Sequence, residues 1–408
     1  MKYCLIGEKL GHSYSKVIHE KFNINYDLVE IEKDKLSDFF KDCKYAGFNV
    51  TIPYKKDVIL YMSYLSPVAK LAGAVNTVVN KDGKFYGYNT DVDGMNYMIK
   101  RAGVTLKGKN VMILGSGGTS NTANTLAKRE NAKSITIVSR NGLVNYENCY
   151  DYANTEIIIN TTPVGMFPNP YSKPIDLYRF KNLQGVFDCI YNPKNTELLQ
   201  DAKLLNIPCE GGLSMLVEQA LLARDIWFNT THDKIVTEKI ISEISTLTSN
   251  IVLCGMPSAG KTTVGKIIAK NLGLNFYDSD EEISNLYGKT PSEIINLKGE
   301  SYFRDIESQI VKELSMKSGA VISIGGGAIL REENVTNLKR NGTIVYIKRD
   351  LNKLVCTNRP LSQKQGIDKL FNERKAIYES VSDFIVENNG TLEECAKKVV
   401  REYETTCN

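Results

Sequence analysis

The chain has 408 residues, of which 42% are hydrophobic and 24% charged, values typical of a soluble globular protein and not of a fibre, a collagen or a disordered chain. Its 51 basic and 47 acidic residues leave a net charge of +4. The two signs nearly balance on both sides of residue 250, which argues against the basic face of a nucleic-acid-binding protein. No apolar run reaches the roughly 18 residues of a membrane-spanning helix, so we expect neither nucleic acid nor membrane as a partner.

The numbers of cysteines and histidines further restrict the class of protein. The nine cysteines are dispersed and no two have CxxC spacing, which predicts free thiols in the reducing cytoplasm. Residues 1–9 contain too short an apolar stretch for a secretory signal. Only three histidines are present, so a zinc site or a Ser-His-Asp triad has few residues to draw on. At roughly 100–200 residues per domain, the length predicts two or three domains.

Apolar runs and helical patterns alternate along the chain. In the first hundred residues, residues 78–88 read as a β-hairpin that turns at 81–83. Further runs typical of buried strands lie at 111–114, 135–138, 157–159, 186–188, 251–254, 321–324 and 344–347. Helical patterns separate most of these runs, including 121–129 and 301–314, and another covers 215–244. The alternation predicts an α/β protein with parallel sheets.

Two glycine-rich turns divide the chain. Gly115, Gly117 and Gly118 follow the apolar run 111–114, and residues 255–262 follow the run 251–254. Each turn has a strand-like run before it and a helical pattern after it. This β-loop-α arrangement binds phosphate groups at the N-terminus of the helix.

The second turn matches the pattern GxxxxGK[ST]. In such a loop, backbone N–H groups between Gly255 and Gly260 surround the phosphates of a nucleotide. Lys261 can reach the β- and γ-phosphates, and Thr262, with Thr263 beside it, can coordinate Mg²⁺. An ordinary glycine turn is the alternative, and the strand before and helix after disfavour it. The motif predicts ATP binding but does not name the acceptor.

Residues 250–408 resemble shikimate kinase along their whole length. Besides the phosphate loop, the segments that carry the resemblance, in the family's order, are 275–280, 301–304, 323–327, 359–361 and 373–379. The resemblance implies that Arg304 and Arg374 hold the substrate carboxylate. It also implies that Asp280 orients the attacking hydroxyl and takes its proton, and that Gly326 and Gly327 offer backbone groups to the substrate.

The same resemblance places Asp278 near Mg²⁺ and makes Arg359 a lid residue that stabilises the transferring phosphoryl group. Each of these residues has an alternative explanation when it is considered alone. The aspartates could be helix caps, and the arginines could be surface residues. The pattern as a whole favours the kinase. The segment before Arg359 is shorter than is usual in the family, and Cys356 stands where an arginine often stacks on adenine. Arg349 and Lys353 are the candidates to compensate.

The first glycine turn is an incomplete match to GxGxxG, because Ser120 stands at the third glycine. The run 135–138 leads to Ser139 and Arg140. An acidic residue in this region would bind a ribose 2′-hydroxyl, whereas an arginine accommodates a 2′-phosphate. Arg140 therefore favours NADP over NAD, the alternative being an arginine in solvent at a strand end.

Residues 1 to about 230 resemble shikimate dehydrogenase. The segments that carry the resemblance, in the family's order, are 12–15, 47–55, 73–77, 89–91, 160–166, 188–193 and 212–219. The resemblance implies hydride transfer from NADPH to 3-dehydroshikimate, with Lys55 supplying the proton and Asp91 as its partner. Ser13 and Ser15 would bind the carboxylate, although Lys16 replaces the usual proline. The remaining implied contacts are Thr51, Asn76, Tyr191 and Gln219 to the substrate, and Thr162, Gly212 and Met215 to the cofactor.

Together these patterns predict two enzymes in one chain. Residues 1–248 would form the dehydrogenase, with a substrate lobe (about 1–100), a Rossmann-like NADP lobe (101–214) and returning helices (215–248). Residues 249–408 would form a P-loop kinase domain with a parallel sheet. The predicted function is reduction of 3-dehydroshikimate to shikimate and then its phosphorylation with ATP and Mg²⁺. The alternatives are that one half alone is active, or that the dehydrogenase uses quinate and NAD.

Overall fold

The computed structural model describes residues 1–10, 14–354 and 366–406. The chain divides into two compact units, Met1–Ile241 and Ser242–Asn408. Helix α8 (Lys234–Thr248) runs through the boundary between them. Within the described ranges, no helix is long and apolar enough to cross a membrane.

The first unit begins with a six-stranded mixed sheet of order β2-β1-β3-β5-β6-β4. Its strands are β1 (Tyr3–Gly7), β2 (Tyr26–Glu30), β3 (Gly47–Val50), β4 (Met62–Leu65), β5 (Thr77–Lys81) and β6 (Lys84–Tyr88). Helices α1 (Tyr14–Glu20), α2 (Leu36–Lys41), α3 (Pro67–Ala72) and α4 (Asp91–Arg101) accompany them. Strands β5 and β6 pair antiparallel, which confirms the predicted hairpin. Its turn uses Asp82 and Gly83, both with positive φ.

The second sheet of this unit has five parallel strands in the order β11-β10-β9-β7-β8. The strands are β7 (Asn110–Leu114), β8 (Ser134–Val138), β9 (Ile157–Asn160), β10 (Gly185–Asp188) and β11 (Cys209–Gly211). Helices α5 (Gly118–Arg129), α6 (Glu197–Leu204) and α7 (Leu213–Phe228) connect or follow them. Strands β9 and β10 are buried along their whole length, which is why each reads as a short apolar run before its polar last residue.

The predicted helical pattern at 215–244 is two helices, not one. Helix α7 ends at Phe228, and the next residue, Asn229, adopts the left-handed conformation with φ of 52°. Helix α8 begins at Lys234, six residues after Phe228. Asparagine is one of the few residues that tolerate this conformation. Near the end of α7, the Trp227 ring nitrogen donates to the carbonyl of Val78 at 3.0 Å. The chain therefore returns from the second sheet to the first.

His232, whose side chain is 6% exposed, lies in the connection between α7 and α8. The His232 ring nitrogens lie 2.6 Å from Asp225 Oδ2 and 3.2 Å from Glu218 Oε2. Thr237 Oγ1 also donates to Glu218. Because both ring nitrogens face carboxylate oxygens, the arrangement is best satisfied by the doubly protonated ring. Hydrogen bonding to Glu218 and then to Asp225 raises the pKa of His232, although burial opposes this.

This histidine predicts a pH-dependent contribution to stability. Since its folded pKa lies above its ordinary value of about 6.5, the contribution is complete below that value and is lost as the pH rises through the folded pKa. We expect His232→Gln to destabilise the first unit by about 2 kcal/mol at pH 6 and by less at pH 9. Thermal unfolding of both proteins across this range measures the difference. A difference that does not shrink with rising pH would contradict the prediction.

The second unit contains a parallel sheet of order β13-β14-β12-β15-β16. Its strands are β12 (Asn250–Cys254), β13 (Asn275–Asp278), β14 (Ala320–Ser323), β15 (Gly342–Lys348) and β16 (Phe384–Glu387). Its helices are α9 (Lys261–Leu272), α10 (Ser279–Tyr287), α11 (Pro291–Lys298), α12 (Glu300–Ser315), α13 (Glu332–Asn341), α14 (Ile367–Val381) and α15 (Leu392–Thr406). Apolar clusters cover both faces of the sheet. The central strand β12 is entirely buried and delivers the second glycine turn to the carboxyl edge, where ligands bind in such sheets.

Candidate active sites

Lys55 and Asp91 form an ion pair in the first unit, with 2.7 Å between Nζ and Oδ2. Lys55 follows the buried Tyr54, whose hydroxyl donates to the carbonyl of Ile31. The backbone carbonyl of Lys55 accepts from the N–H of Val75. Asp91 is the first residue of α4, where the helix dipole favours a carboxylate. The lysine side chain remains 28% exposed. The ammonium group is therefore held in place and still accessible.

The pair lies in a cleft of about 310 Å³ that takes residues from both lobes of the first unit. The cleft brings together most of the residues that the sequence predicted for the dehydrogenase: Ser15, Thr51, Lys55, Asn76, Asp91, Tyr191, Gly212, Met215 and Gln219. Lys9 and Thr119, which the sequence did not single out, line it as well. The cleft thus presents hydroxyl, amide and ammonium groups to a small polar ligand.

A buried amide network that sequence reasoning missed holds this cleft in shape. Asn76 Oδ1 accepts from the N–H of Thr90 at 2.8 Å, and Asn76 Nδ2 donates to the Thr90 hydroxyl at 2.9 Å. Asn49 in turn donates to the carbonyl of Asn76 and accepts from the Tyr26 hydroxyl. Since Thr90 immediately precedes Asp91, the network also positions the carboxylate. The available signal was the set of asparagines in the segments 47–55 and 73–77.

The first glycine turn joins β7 to α5. Gly115 has φ of 110°, and a Cβ there would lie 2.8 Å from Thr161 Oγ1, so the position requires glycine. A Cβ at Gly117 or Gly118 would meet nothing within 4 Å. This side of the turn is therefore open to a diphosphate at the helix N-terminus.

Two neighbouring strand ends carry Arg140 and Thr162, which the sequence predicted for the cofactor and which do not line the cleft. Arg140 is exposed two residues beyond β8, on a turn closed by the bond from the N–H of Ser139 to the carbonyl of Val144. Thr162 is fixed by Asn160, whose Oδ1 accepts both its N–H and its hydroxyl. Asn160 also donates to Asp188, and burial raises the pKa of that carboxyl to about 6.

The second glycine turn forms a phosphate loop between β12 and α9. Gly255 and Gly260 have φ of 142° and 92°, values that L side chains rarely adopt. A Cβ at Gly260 would also lie 2.5 Å from Asn388 Nδ2. Lys261 is buried and donates to the carbonyls of Gly255 and Met256 at 3.0 and 3.1 Å. The ammonium group of Lys261 therefore lies over the loop. There it can exchange these carbonyl acceptors for the oxygens of a bound phosphate.

Thr262 and Asp278 fit a magnesium site. The Thr262 hydroxyl donates to Asp278 Oδ2 at 2.7 Å, and Asp278 Oδ1 accepts from the N–H of Asp280 at 3.0 Å. Thr263, one residue further, is exposed on α9. Within the described part of the chain, no cluster of three or more His, Cys, Asp or Glu could hold a metal. Mg²⁺ would therefore complete its shell with phosphate oxygens and water, as it commonly does.

A pocket of about 490 Å³ opens beside this loop. It brings together the residues predicted for the kinase substrate: Asp280, Arg304, Gly326, Gly327 and Arg374. The Arg304 guanidinium lies against the backbone of Gly327, where a Cβ would collide with it. Tyr378 donates its hydroxyl to the carbonyl of Gly326, which fixes the glycine segment from the side of α14.

Glu307 is a pocket residue that sequence reasoning missed. Its carboxylate is 1% exposed and pairs with Arg304, with 2.6 Å between Oε2 and Nη1. Glu300 contacts the other guanidinium nitrogen at 3.0 Å. Burial raises the pKa of Glu307, against the effect of Arg304. The signal in the sequence was the spacing of three residues between Arg304 and an acid on the apolar face of α12.

Three residues singled out from the sequence lie outside the described residues. These are Ser13 in the first unit, and Cys356 and Arg359 in the second. Their proposed contacts rest on the sequence resemblance alone.

Comparisons with known proteins match both parts of the chain. The family model of the shikimate dehydrogenase substrate binding domain matches residues 5–78, and that of shikimate kinase matches residues 257–404. The shikimate dehydrogenase (NADP(+)) of Clostridium beijerinckii is 37% identical over 261 residues, which is 59% of this chain and 96% of that protein. The enzyme of the same name from Methanococcus maripaludis is 35% identical over 271 residues, again 59% and 96%.

Solved structures also resemble the first three fifths of the chain. A chorismate mutase/shikimate 5-dehydrogenase fusion protein from Clostridium acetobutylicum superposes with a TM-score of 0.56 at 35% identity, covering 59% of this chain and 96% of that one. The ligand-free 5-ketofructose reductase of a Gluconobacter strain has a TM-score of 0.52 at 26% identity, covering 60% and 98%.

Fold and sites together define an α/β protein with a two-lobed dehydrogenase followed by a P-loop kinase domain. The dehydrogenase part is defined by the cleft between its lobes and the kinase part by its phosphate loop. The chain belongs to the shikimate dehydrogenase family through its first three fifths, and it ends in a shikimate kinase domain. Both resemblances seen in the sequence are therefore confirmed.

Proposed function

We propose that this chain catalyses two consecutive reactions, the reduction of 3-dehydroshikimate to shikimate with NADPH and the phosphorylation of the shikimate 3-hydroxyl with MgATP. The observation that carries the proposal is the coexistence of two constellations, Lys55 with Asp91 in one unit and Asp280 with Arg304 and Arg374 in the other. We assign residues 1–248 to the first reaction and 249–408 to the second. The cofactors are NADP(H), ATP and Mg²⁺.

In the dehydrogenase site, NADPH supplies the hydride that goes to the ketone carbon. The Lys55 ammonium donates a proton to the carbonyl oxygen as negative charge develops there, which lowers the barrier. Asp91 holds the ammonium group in place at the cleft, and the lysine regains its proton from solvent. Ser15 holds the substrate carboxylate, with Ser13 beside it in the sequence. The other predicted contacts, namely Thr51, Asn76, Tyr191 and Gln219, orient the ring and its hydroxyls.

In the kinase site, Asp280 accepts the proton of the attacking hydroxyl. Arg304 and Arg374 hold the carboxylate as charge-assisted pairs. Lys261 exchanges its loop carbonyls for phosphate oxygens. Thr262 and Asp278 hold Mg²⁺, which neutralises phosphate charge when bound. Arg359 supplies a further cation to the transferring phosphoryl group.

Separate steady-state assays of the two halves test this proposal against its alternatives. We expect oxidation of shikimate with NADP⁺ to exceed that of quinate or with NAD⁺ by at least about 10-fold in kcat/KM, the effect of a single charge-assisted contact. We also expect ADP formation from ATP and added shikimate. Preference for quinate and NAD⁺ would support the alternative dehydrogenase. Activity in only one of the two assays would support a chain with a single working site.

Arg140 provides a test of the cofactor. If its guanidinium binds the 2′-phosphate, Arg140→Asp should raise the KM for NADPH by about 10- to 100-fold, the value of a charge-assisted contact, and change the KM for NADH far less. Lys128→Asp makes the same charge change at the far end of α5 and is the control. An unchanged KM for NADPH in Arg140→Asp would remove this assignment.

A further inference from the structure

We propose that Arg349 binds the phosphate chain of the nucleotide from the side of the loop opposite the acceptor pocket. This inference rests on the proposed kinase function and adds to it a contact that the phosphate-loop motif does not contain. Arg349 directly follows β15, and its guanidinium faces the phosphate loop.

Strand order determines on which side each part of the nucleotide lies. The acceptor pocket is formed after β13 and β14, through Asp280 and the segment 325–327. Both strands lie on one side of the central β12, and β15 and β16 lie on the other. Because the terminal phosphate must point toward the acceptor, the inner phosphates and the nucleoside extend over β15 and β16. Arg349 and Asn388, each the first residue beyond its strand, lie there.

Direct contacts place these two residues against the loop. The Asn388 amide donates to the carbonyl of Ala259 at 2.8 Å. A Cβ built on Gly260 would lie 2.5 Å from that amide and 3.8 Å from Arg349 Nη1. Gly260 caps the N-terminus of α9, so the guanidinium stands beside the N–H groups that bind phosphate.

Arg349 also differs from the neighbouring cations in its hydrogen bonding. Its Nε is shielded from solvent and has no hydrogen-bond partner among the described residues. By contrast, Lys348 lies 4.0 Å from Glu387. Lys353 donates to the carbonyl of Asn389 at 3.0 Å, so it is engaged in fixing the loop. Asp350, the acid next in sequence, accepts from the Asn389 amide at 3.0 Å.

A half-buried guanidinium whose Nε lacks a partner is costly unless an anion binds to it. Phosphate is the anion that the adjacent loop is built to hold, and a guanidinium fork matches its oxygens well. Cys356 stands where an arginine often stacks on adenine, and either Arg349 or Lys353 could compensate for the nucleotide affinity lost there. The contacts favour Arg349, through the phosphates.

Nucleotide titrations on the full chain test the inference. We expect Arg349→Met to raise the Kd for MgADP by about 10- to 100-fold and to leave the Kd for adenosine, which lacks phosphate, unchanged. Arg349→Lys should recover part of the loss. Lys348→Met removes a positive charge from the adjacent residue and should stay within about twofold of the unaltered protein, the small value of an exposed pair. Thermal unfolding of each preparation, compared with the unaltered protein, shows whether the second unit is folded.

Two results would overturn the inference alone. One is an unchanged Kd for MgADP in Arg349→Met, and the other is an equal loss for MgADP and adenosine, which would place the contact on the base. Failure of the unaltered protein to bind MgADP would instead overturn the proposed kinase function, and this inference with it.

Discussion

Lys55→Met is expected to slow the turnover of 3-dehydroshikimate by about 10²- to 10⁴-fold, the usual value of a positioned general acid. The ammonium group is held 2.7 Å from Asp91 at the cleft, so the substitution removes a positioned proton donor. Phosphorylation of added shikimate by the same preparation should be unchanged, because that reaction uses other residues. Spectrophotometric NADPH consumption and ADP release measure the two activities.

The adjacent residue supplies a matched control for this substitution. Lys56 is exposed and does not line the cleft, so Lys56→Met should retain nearly full dehydrogenase activity. Asp91→Asn should also slow turnover, since the lysine would lose its charged partner. Dehydrogenase activity of Lys55→Met within about tenfold of the unaltered protein would contradict the role of Lys55, because a positioned acid is worth more than that.

Asp280→Asn is expected to slow the turnover of shikimate phosphorylation by about 10²- to 10⁴-fold while the Kd for MgADP stays within about twofold. The asparagine keeps the shape of the side chain but accepts no proton from the attacking hydroxyl. Nucleotide binding depends on the loop, on Lys261 and on Thr262, which the substitution does not touch. Single-turnover phosphoryl transfer together with MgADP titration separates the two effects.

Glu282→Gln is the control for this second substitution, since Glu282 lies in the same turn of α10 and outside the pocket lining. We expect it to keep its kinase activity. If Asp280→Asn weakened MgADP binding as much as it slowed turnover, the aspartate would act on the nucleotide and not on the acceptor.

Much of the fold could be predicted because buried parallel strands leave a strong pattern. Strands β9 and β12 are covered on both faces and therefore read as unbroken apolar runs. The two glycine turns could also be predicted, although the first matches its motif incompletely, because Gly115 and Gly260 have backbone conformations that other residues rarely adopt. The division of 215–244 into two helices was missed, although the polar run 229–234 marks it in the sequence; Asn229 ends α7 in the left-handed conformation.

The site was harder to predict, for a physical reason. Residues 36 positions apart, such as Lys55 and Asp91, are joined by tertiary structure, and only the family resemblance paired them in advance. The asparagines and the spacing of Arg304 and Glu307 are visible in the sequence, but they do not show the bonds of Asn49 and Thr90 to Asn76 or the burial of Glu307. Arg349 Nε has no hydrogen-bond partner among the described residues, which likewise depends on three-dimensional packing.

The most direct test of the two coupled activities is one assay on the purified chain with 3-dehydroshikimate, NADPH and MgATP. NADPH loss and ADP formation are followed together, and omission of NADPH or of 3-dehydroshikimate provides the controls. If both sites work as proposed, ADP appears only in the complete mixture, lags behind NADPH loss and approaches one ADP per NADPH consumed. NADPH loss without ADP, even after shikimate is added, would contradict a working kinase. ADP formation from added shikimate with NADPH untouched would contradict the dehydrogenase.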